Sequence, residues 1–294
     1  MDTTTRVGLI GTGLLGQAVA RRLAAVDCRV EAWNRTKDKA LGLETFGVKC
    51  VDSVEKLLSR NNVIICLLSD ADACDEVIFT ETRLSLIAHY SIIIMMSTLT
   101  PEKVVEQQLQ ARRAKLDYVD MPVSGGTKGA ENGTLSLMAG GAKQSIDRLR
   151  PLLTHLGNVT RVGDVGAGQL TKLANQIIVA GTLCLLSEAF TLAQRGGADP
   201  IKVREALLGG FADSSLLQQH GERMVESDFC ARGSAAWQLK DTKSIMALAQ
   251  QLDLTLPLTD KVNVLFSQMV AAGDGDLDHC GIIRQIQRLN GLSI

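Results

Sequence analysis

Three glycines near the start of the chain are spaced as G-x-G-x-x-G within VGLIGTGLLGQAVARRL. Gly11, Gly13 and Gly16 follow an apolar run that predicts a β-strand, and they open a segment whose spacing predicts an α-helix. At such a junction the first glycine permits a tight turn, the second lets the backbone approach a pyrophosphate, and the third permits close helix packing. We therefore predict that Gly11, Gly13, Leu14, Leu15 and Gly16 contact a dinucleotide.

Short apolar runs alternate with helical patterns through the first half of the chain. The strand-like runs cover residues 7–10, 29–33, 63–68, 92–96, 118–120, 135–138 and 159–162. Helical patterns between them include residues 14–26, 53–59 and 101–114, the last with Thr100 as its N-cap and Pro101 at its first position. This alternation predicts crossover units around a largely parallel sheet.

Helical periodicity dominates after Gly166. The predicted helices cover residues 168–194, 200–208, 215–225, 234–252, 258–272 and 282–289. We therefore predict an α/β, Rossmann-type N-terminal domain with a mostly parallel sheet over residues 1–165. An all-α C-terminal domain for substrate binding and oligomerisation follows over residues 166–294, and a long interdomain helix joins the two.

The segment after the second predicted strand bears on the choice of cofactor. An NAD-binding fold presents an acidic side chain there, about 20 residues past the glycine turn. This chain has Asn34, Arg35 and Thr36 instead, and the acid that precedes them, Glu31, lies inside the strand. Arginine beside an amide and a hydroxyl suits a 2′-phosphate, so NADP is predicted over NAD, and NADPH over NADH. The alternative is that Arg35 is a solvated loop charge.

Two further strand ends extend the predicted cofactor site. One strand-like run ends at Leu67 and Leu68, and another ends at Ser97 and Thr98. In an open parallel sheet the carboxyl ends of the strands line the ligand crevice, so these four residues are predicted to contact the cofactor. Ser97 and Thr98 are equally compatible with an ordinary turn.

Two further groups of candidate site residues follow along the chain. Ser124, Gly125 and Gly126 come just after a predicted strand, and a hydroxyl followed by two unencumbered backbone N–H groups forms a concavity for a carboxylate or a phosphate. Lys172 and Asn175 are three residues apart at the head of a long apolar helix, so they share a face. Taken alone, such a lysine is expected to extend to water.

Together these segments resemble one known family. The matching segments are the glycine fingerprint, Pro122-Val123-Ser124-Gly125-Gly126, Gly168-Gln169-x-x-Lys172-x-x-Asn175-Gln176 and Lys240-Asp241. In this order and at these distances they are similar to the β-hydroxyacid dehydrogenase family, which includes 3-hydroxyisobutyrate dehydrogenase. The resemblance covers nearly the whole chain and is strongest to the tartronate semialdehyde reductase branch.

The resemblance implies an NADP-dependent oxidoreductase that reduces a small aldehyde or keto acid. Tartronate semialdehyde, reduced to glycerate, is the first expected substrate, and succinic semialdehyde, glyoxylate and methylmalonate semialdehyde are the others. It implies that Lys172 is catalytic, that Asn175 helps to hold substrate, and that Lys240 closes on the cofactor. Ser124, Gly125 and Gly126 are implied to bind the substrate carboxylate.

The chain departs from the family pattern at two positions. Gly233 stands where related enzymes often carry a phenylalanine that lines the substrate site, and Met121 stands where alanine is more frequent. Loss of the ring leaves space, or lets Arg232 or Trp237 move in. We hypothesise that the substrate pocket is roomier than in the tartronate semialdehyde branch.

Three alternatives compete with this interpretation. A 6-phosphogluconate dehydrogenase would have a histidine where Ala174 stands, and its chain is much longer. An imine reductase shares the cofactor domain and an Asn-Arg-Thr-like segment, but usually replaces the lysine with aspartate or tyrosine. A non-catalytic NADP-binding sensor or scaffold would have no need of both Lys172 and the Ser124 loop.

The composition argues against nucleic acid and membranes as binding partners. The 294 residues include 31 basic and 32 acidic ones, so no charge excess favours nucleic acid or an anionic membrane surface. Apolar runs are shorter than the roughly 20 residues of a membrane span. Seven cysteines without a C-x-x-C pair and no visible secretory signal predict a cytoplasmic protein.

Two remaining predictions concern metal binding and the oligomeric state. The four histidines show no metal-ligand spacing, so no metal site is predicted. The apolar faces of the helical half favour a homodimer or homotetramer, beside a small carboxylate-bearing aldehyde or hydroxy acid as ligand.

Overall fold

The computed structural model describes residues 5–292. The chain divides into two compact units, Met1–Lys172 and Leu173–Ile294. The division falls inside one long helix, whereas the domain boundary predicted after residue 165 lies just before that helix begins.

The first unit is built on one nine-stranded sheet. Its strands are β1 Arg6–Ile10, β2 Arg29–Trp33, β3 Lys49–Cys50, β4 Val63–Cys66, β5 Ile92–Met95, β6 Asp117–Asp120, β7 Val123–Ser124, β8 Leu135–Gly140 and β9 Gly157–Gly163. Their order is β3-β2-β1-β4-β5-β6-β8-β7, and β9 pairs with β8. All pairs from β3 to β6 are parallel, as is β8 with β9, whereas β8 is antiparallel to β6 and β7. The predicted Rossmann-type sheet is confirmed.

Helices cover both faces of this sheet. They are α1 Leu14–Ala24, α2 Asp38–Leu41, α3 Val54–Arg60, α4 Ala71–Val77, α5 Glu81–Leu84, α6 Pro101–Arg113, α7 Gly126–Asn132 and α8 Lys143–Leu153. Successive strand residues enter separate cores: Leu9 and Ile65 pack in one, Ile10 and Ile64 in the other. Burial on both faces is why these strands are continuous apolar runs in the sequence.

The second unit is helical. After α9 Ala167–Arg195 come α10 Pro200–Leu207, α11 Glu222–Val225, α12 Ala235–Gln251, α13 Pro257–Met269 and α14 Ile282–Leu289. Apart from an isolated bridge between Ser234 and Asp278, residues 164–292 contain no β-structure. The stretch predicted as one helix over 215–225 contains a π turn at Leu217–Gly221, and a second π turn follows α13 at Val270–Asp274.

Helix α9 is 29 residues long and apolar. By length and composition alone it could cross a membrane, with a mean hydropathy of 1.6 in its most apolar window, 44% of which is buried. One such helix among the described residues is weak support for a membrane span, because the core helices of soluble proteins pass the same test.

Candidate active site

The glycine loop adopts the conformation that its spacing predicts. Gly11 has a φ of 96°, and a Cβ there would overlap the Leu67 carbonyl. A Cβ on Gly16 would overlap the Gly11 carbonyl, whereas a Cβ on Gly13 would meet nothing within 4 Å. Gly13 is exposed and caps α1 without a side-chain hydrogen bond, and the first turn of α1 has no acidic residue. The start of α1 therefore suits an anion.

Two matched variants separate the roles of these glycines. We expect Gly16→Ala to lower the free energy of unfolding by about 1–3 kcal/mol, because its methyl group forces the loop from the helix. Gly13→Ala should change it by less than about 0.5 kcal/mol and yet weaken NADPH binding. Urea unfolding and NADPH fluorescence titration measure both effects. Equal loss of stability in the two variants would contradict this division.

The end of β2 presents basic groups beside a cavity. The Asn34 amide accepts a hydrogen bond from the Thr12 backbone N–H (3.0 Å) and donates one to the Thr36 carbonyl (2.9 Å). Asn34 thus holds the glycine loop against the end of β2, while Arg35 and Thr36 are exposed. Residues 34, 35 and 37 line a cavity of about 270 Å³, and the acids Glu44 and Asp52 line it as well. Lys37 adds a second positive charge there and lies 3.4 Å from the Asp52 carboxylate. The sequence reasoning did not single out Lys37.

Glu31, the acid inside β2, is already paired. The Glu31 carboxylate lies 2.9 Å from Lys49 Nζ and also accepts a hydrogen bond from the Asn61 amide (3.1 Å). It is therefore held inside the strand pair, away from the exposed end of β2.

The ends of β4 and β5 are joined through Ser97 and Gln169. Ser97 is buried, and its hydroxyl accepts a hydrogen bond from the Leu68 N–H (2.8 Å). The buried Gln169 amide donates to the Ser97 carbonyl (2.8 Å) and accepts from the Leu99 N–H (3.0 Å). These bonds fix the backbone on both sides of Thr98, which is half-buried.

Asp120 fixes the start of α9 at the end of β6. This fully buried carboxylate accepts hydrogen bonds from the backbone N–H groups of Gly166 (2.9 Å) and Gln169 (2.8 Å). Burial raises the pKa of Asp120 to about 6, although its backbone hydrogen bonds act in the opposite direction. It lies at the N-terminal end of α9, whose partial positive charge offsets only part of the cost of burying the ionised carboxylate.

This pKa predicts a pH-dependent stability. Because the pKa of Asp120 in the folded chain lies above its ordinary value of 3.8, its protonated form stabilises the fold, and that stabilisation is lost as the pH rises through about 6. Between about pH 4 and 7, wild-type stability should fall by up to about 3 kcal/mol relative to Asp120→Asn. Urea unfolding across this range measures the difference. A difference that does not change with pH would refute the assignment.

Helix α9 brings Lys172 to the serine–glycine loop. Lys172 is half-buried, and its Nζ donates a hydrogen bond to the Val123 carbonyl (2.9 Å). Val123 directly precedes Ser124, Gly125 and Gly126. Both glycines have positive φ, 128° and 62°, and are exposed. The structure therefore places an amine beside the loop predicted to bind a carboxylate.

Residues of the second unit form a separate hydrogen-bonded group. Asn175 donates to the Gln176 side chain (2.9 Å), and Gln176 donates to Asp241 (2.6 Å) and Gln238 (3.4 Å). Asp241 is buried on α12, whereas Lys240 is exposed. Asp241, and not Lys240, therefore holds the Gln176 side chain within the helical unit.

Gly233 lies in an open position at the start of α12. Its N–H donates to Asp278 (3.0 Å), and the atom nearest to an added Cβ would be His279 Cε1, at 3.8 Å. Arg232 pairs with Asp228 (3.0 Å), and the Trp237 side chain is 61% exposed. Whether the substrate pocket is roomier stays a prediction.

Sequence reasoning gave no role to two residues that position the site. Asp120 is the acid directly before the Met121-Pro122 segment, and Gln169 lies three residues before Lys172. A buried acid at a strand end is a recognisable signal, because it needs backbone donors to compensate it. The signal for Gln169 was its place one helical turn before the lysine, on the same face.

Comparison with known proteins decides the family. The NAD binding domain of 6-phosphogluconate dehydrogenase matches residues 6–166, and the NAD-binding domain of NADP-dependent 3-hydroxyisobutyrate dehydrogenase matches residues 166–286. The 2-hydroxy-3-oxopropionate reductase of Escherichia coli K12 is 36% identical over 288 residues, which are 96% of this chain and 97% of the relative. The chain belongs to the β-hydroxyacid dehydrogenase family.

Solved structures show how far the fold is shared. The 3-hydroxyisobutyrate dehydrogenase of Salmonella typhimurium matches with a TM-score of 0.88 at 24% identity, over 95% of this chain and 99% of that one. An imine reductase from Pseudomonas sp. matches less closely, with a TM-score of 0.63 at 21% identity over 96% and 99%. As a β-hydroxyacid dehydrogenase, the protein is an NAD(P)-dependent oxidoreductase.

Proposed function

We propose that this β-hydroxyacid dehydrogenase reduces a small aldehyde or keto acid to the hydroxy acid with NADPH. Tartronate semialdehyde, giving glycerate, is the first substrate to test, since the E. coli relative is a 2-hydroxy-3-oxopropionate reductase. Succinic semialdehyde, glyoxylate and methylmalonate semialdehyde follow. The observation that carries the proposal is the Lys172 amine, held 2.9 Å from the carbonyl that precedes the Ser124 loop.

The residues around this amine suit the chemistry. The Ser124 hydroxyl and the backbone N–H groups of Gly125 and Gly126 bind the substrate carboxylate. Bound NADPH supplies the hydride. The Lys172 ammonium stabilises the negative charge that develops on the carbonyl oxygen and donates the proton that completes the alcohol. Asn175, on the next turn of α9, helps to hold the substrate.

The preference for NADPH rests on the end of β2. The exposed Arg35 guanidinium, with Thr36 and the Lys37 ammonium, offers charge-assisted hydrogen bonds to a 2′-phosphate. The pairing of Glu31 with Lys49 keeps its carboxylate from the 2′-hydroxyl of NADH. The start of α1 binds the pyrophosphate, while Leu14, Leu15, Leu67, Leu68, Ser97, Thr98 and Lys240 complete the proposed cofactor contacts.

A parallel assay tests the proposal. Loss of NADPH and of NADH absorbance is followed with each of the four aldehyde or keto acids, with a cyclic imine included. We expect turnover of at least one acid, and faster turnover with NADPH than with NADH. Turnover of the imine alone would indicate an imine reductase. Tight NADPH binding without turnover of any compound would indicate a sensor or scaffold, and either result rejects the proposal.

We also propose that the protein is a homodimer or homotetramer in the cytoplasm. On α9, Ile178, Leu185 and Leu192 are seven residues apart and 66%, 66% and 76% exposed, an apolar stripe of the kind that pairs with another helix. All seven cysteines are free thiols, which is the usual state in a reducing compartment. Light scattering of the wild-type protein and of Leu185→Glu tests self-association, and a monomeric wild type would reject it.

A further inference from the structure

Three side chains of the helical unit form a chain of hydrogen bonds that leads to a proposed substrate-binding residue. The Asn175 amide donates to Gln176 Oε1 (2.9 Å), and Gln176 Nε2 donates to the Asp241 carboxylate (2.6 Å). Gln176 and Asp241 are buried, whereas Asn175 is half-buried on α9. Of the three, Asn175 alone takes part in the proposed reduction.

The Asp241 carboxylate sets the orientation of the Gln176 amide. A carboxylate accepts hydrogen bonds and has no hydrogen to donate, so the Gln176 nitrogen faces it. A second acceptor, Gln238 Oε1, lies 3.4 Å from the same nitrogen. In the reverse orientation the Gln176 oxygen would lie about 2.6 Å from a carboxylate oxygen, and two buried acceptors would be in contact. The Gln176 oxygen therefore faces Asn175.

The orientation of Gln176 in turn sets that of Asn175. Because Gln176 Oε1 only accepts, Asn175 turns its nitrogen toward it, and Asn175 Oδ1 lies on the opposite side of the amide. Rotating the Asn175 amide by half a turn would bring two oxygens together and break this hydrogen bond. On the side away from Gln176, Asn175 therefore presents a hydrogen-bond acceptor.

An acceptor at this position distinguishes between the four proposed substrates. Lys172 lies one turn earlier on the same face of α9, so Asn175 is placed to reach the carbon beside the reacting carbonyl. Tartronate semialdehyde carries a hydroxyl on that carbon, and methylmalonate semialdehyde has the same skeleton with a methyl group in its place. Succinic semialdehyde and glyoxylate carry no alcohol there. A hydroxyl donates to the Asn175 oxygen, whereas a methyl group leaves that oxygen without a donor.

We propose, on the basis of the reduction proposed above, that Gln176 and Asp241 are positioning residues that hold Asn175 as a hydrogen-bond acceptor. They thereby make the enzyme selective for 2-hydroxy-3-oxo acids over the 2-methyl acids of the same shape. The selectivity comes from the fixed direction of one amide, because an Asn175 side chain free to rotate would offer donor and acceptor alike.

The reverse reaction supplies a matched pair of stable substrates. Glycerate and 3-hydroxyisobutyrate are the alcohols formed from tartronate and methylmalonate semialdehyde, and they differ only in a hydroxyl or a methyl group at C2. Racemic samples are oxidised with NADP⁺, and NADPH is measured as hydride leaves the terminal carbon and the alcohol proton is released. We expect kcat/KM for glycerate to exceed that for 3-hydroxyisobutyrate by at least about 10-fold.

Variants of the hydrogen-bonded chain test the positioning role. Gln176→Met is close in size but has no amide, so the preference for glycerate should fall about 3- to 10-fold, mainly through a higher KM for glycerate. Asp241→Asn admits both orientations of Gln176 and should lower the preference by a smaller factor. In an Asn175→Ala background, Gln176→Met should cause no further change in the preference. Gln285→Met, at a buried glutamine of α14, is the matched control and should keep the wild-type preference.

Each contrary result has a distinct meaning. A wild type that oxidises both alcohols equally well, or prefers 3-hydroxyisobutyrate, would overturn the selectivity without recourse to any variant. A folded Gln176→Met enzyme with the wild-type preference would also overturn the proposal, because a purely structural residue affects both alcohols alike. Turnover of glyoxylate or succinic semialdehyde alone would overturn the selectivity and leave the reduction intact, whereas turnover of no substrate would reject the reduction itself.

Discussion

Replacing Lys172 with alanine should lower kcat by about 10²–10⁴-fold with the best substrate, and leave NADPH affinity nearly unchanged. The amine neutralises the oxygen only while hydride is being transferred, so its removal raises the barrier for chemistry more than it weakens the ground-state complex. The Val123 carbonyl loses the one donor that the half-buried Lys172 supplies, and we expect the fold to persist.

Steady-state kinetics measure the change in kcat, and fluorescence titration measures the affinity for NADPH. Lys172→Arg keeps the charge but holds its proton more firmly, so it should also be slow. Lys143→Ala is the matched control, because Lys143 is exposed on α8 and pairs with Asp147. If the Lys172→Ala enzyme were as fast as this control, the Lys172 amine would have no catalytic role.

Replacing Arg35 with alanine should change cofactor choice rather than overall activity. Hydrogen bonds to a charged group contribute about 1.5–3 kcal/mol, so kcat/KM for NADPH should fall about 10- to 150-fold. The value for NADH should change little, because NADH has no 2′-phosphate for the guanidinium to bind.

The control for this experiment lies at the opposite end of β2 from Arg35. Arg29 is also exposed but lies at the amino end of β2, the end of the strand away from the ligand crevice. Arg29→Ala should keep the wild-type ratio of NADPH to NADH activity. A parallel decline with both cofactors in Arg35→Ala would show that Arg35 does not recognise the phosphate.

Most of the fold follows from local patterns in the sequence. The continuous apolar runs predict the long parallel strands, because strands buried on both faces need no polar positions. Two strands of two residues each, β3 and β7, went unpredicted, since such short segments have no measurable periodicity and are defined by their neighbours. The π turn around His220 likewise leaves no periodic signal.

The residues of the candidate site also fall into those that local sequence predicts and those that only distant contacts define. Gly11, Gly13 and Gly16 could be assigned from spacing, because their roles depend on backbone geometry within a single turn. Asp120 and Gln169 could not, because their partners are distant in sequence and only the packed structure shows that they meet.

The buried Gln169 limits how this enzyme can be redesigned. Its amide nitrogen and oxygen are both occupied, one by the Ser97 carbonyl and one by the Leu99 N–H. Glutamate would lose the donor, methionine would lose both groups, and asparagine is one methylene too short. Directed evolution of substrate range that randomises the head of α9 should therefore recover glutamine at this position, while tolerating change at the exposed Leu170 beside it.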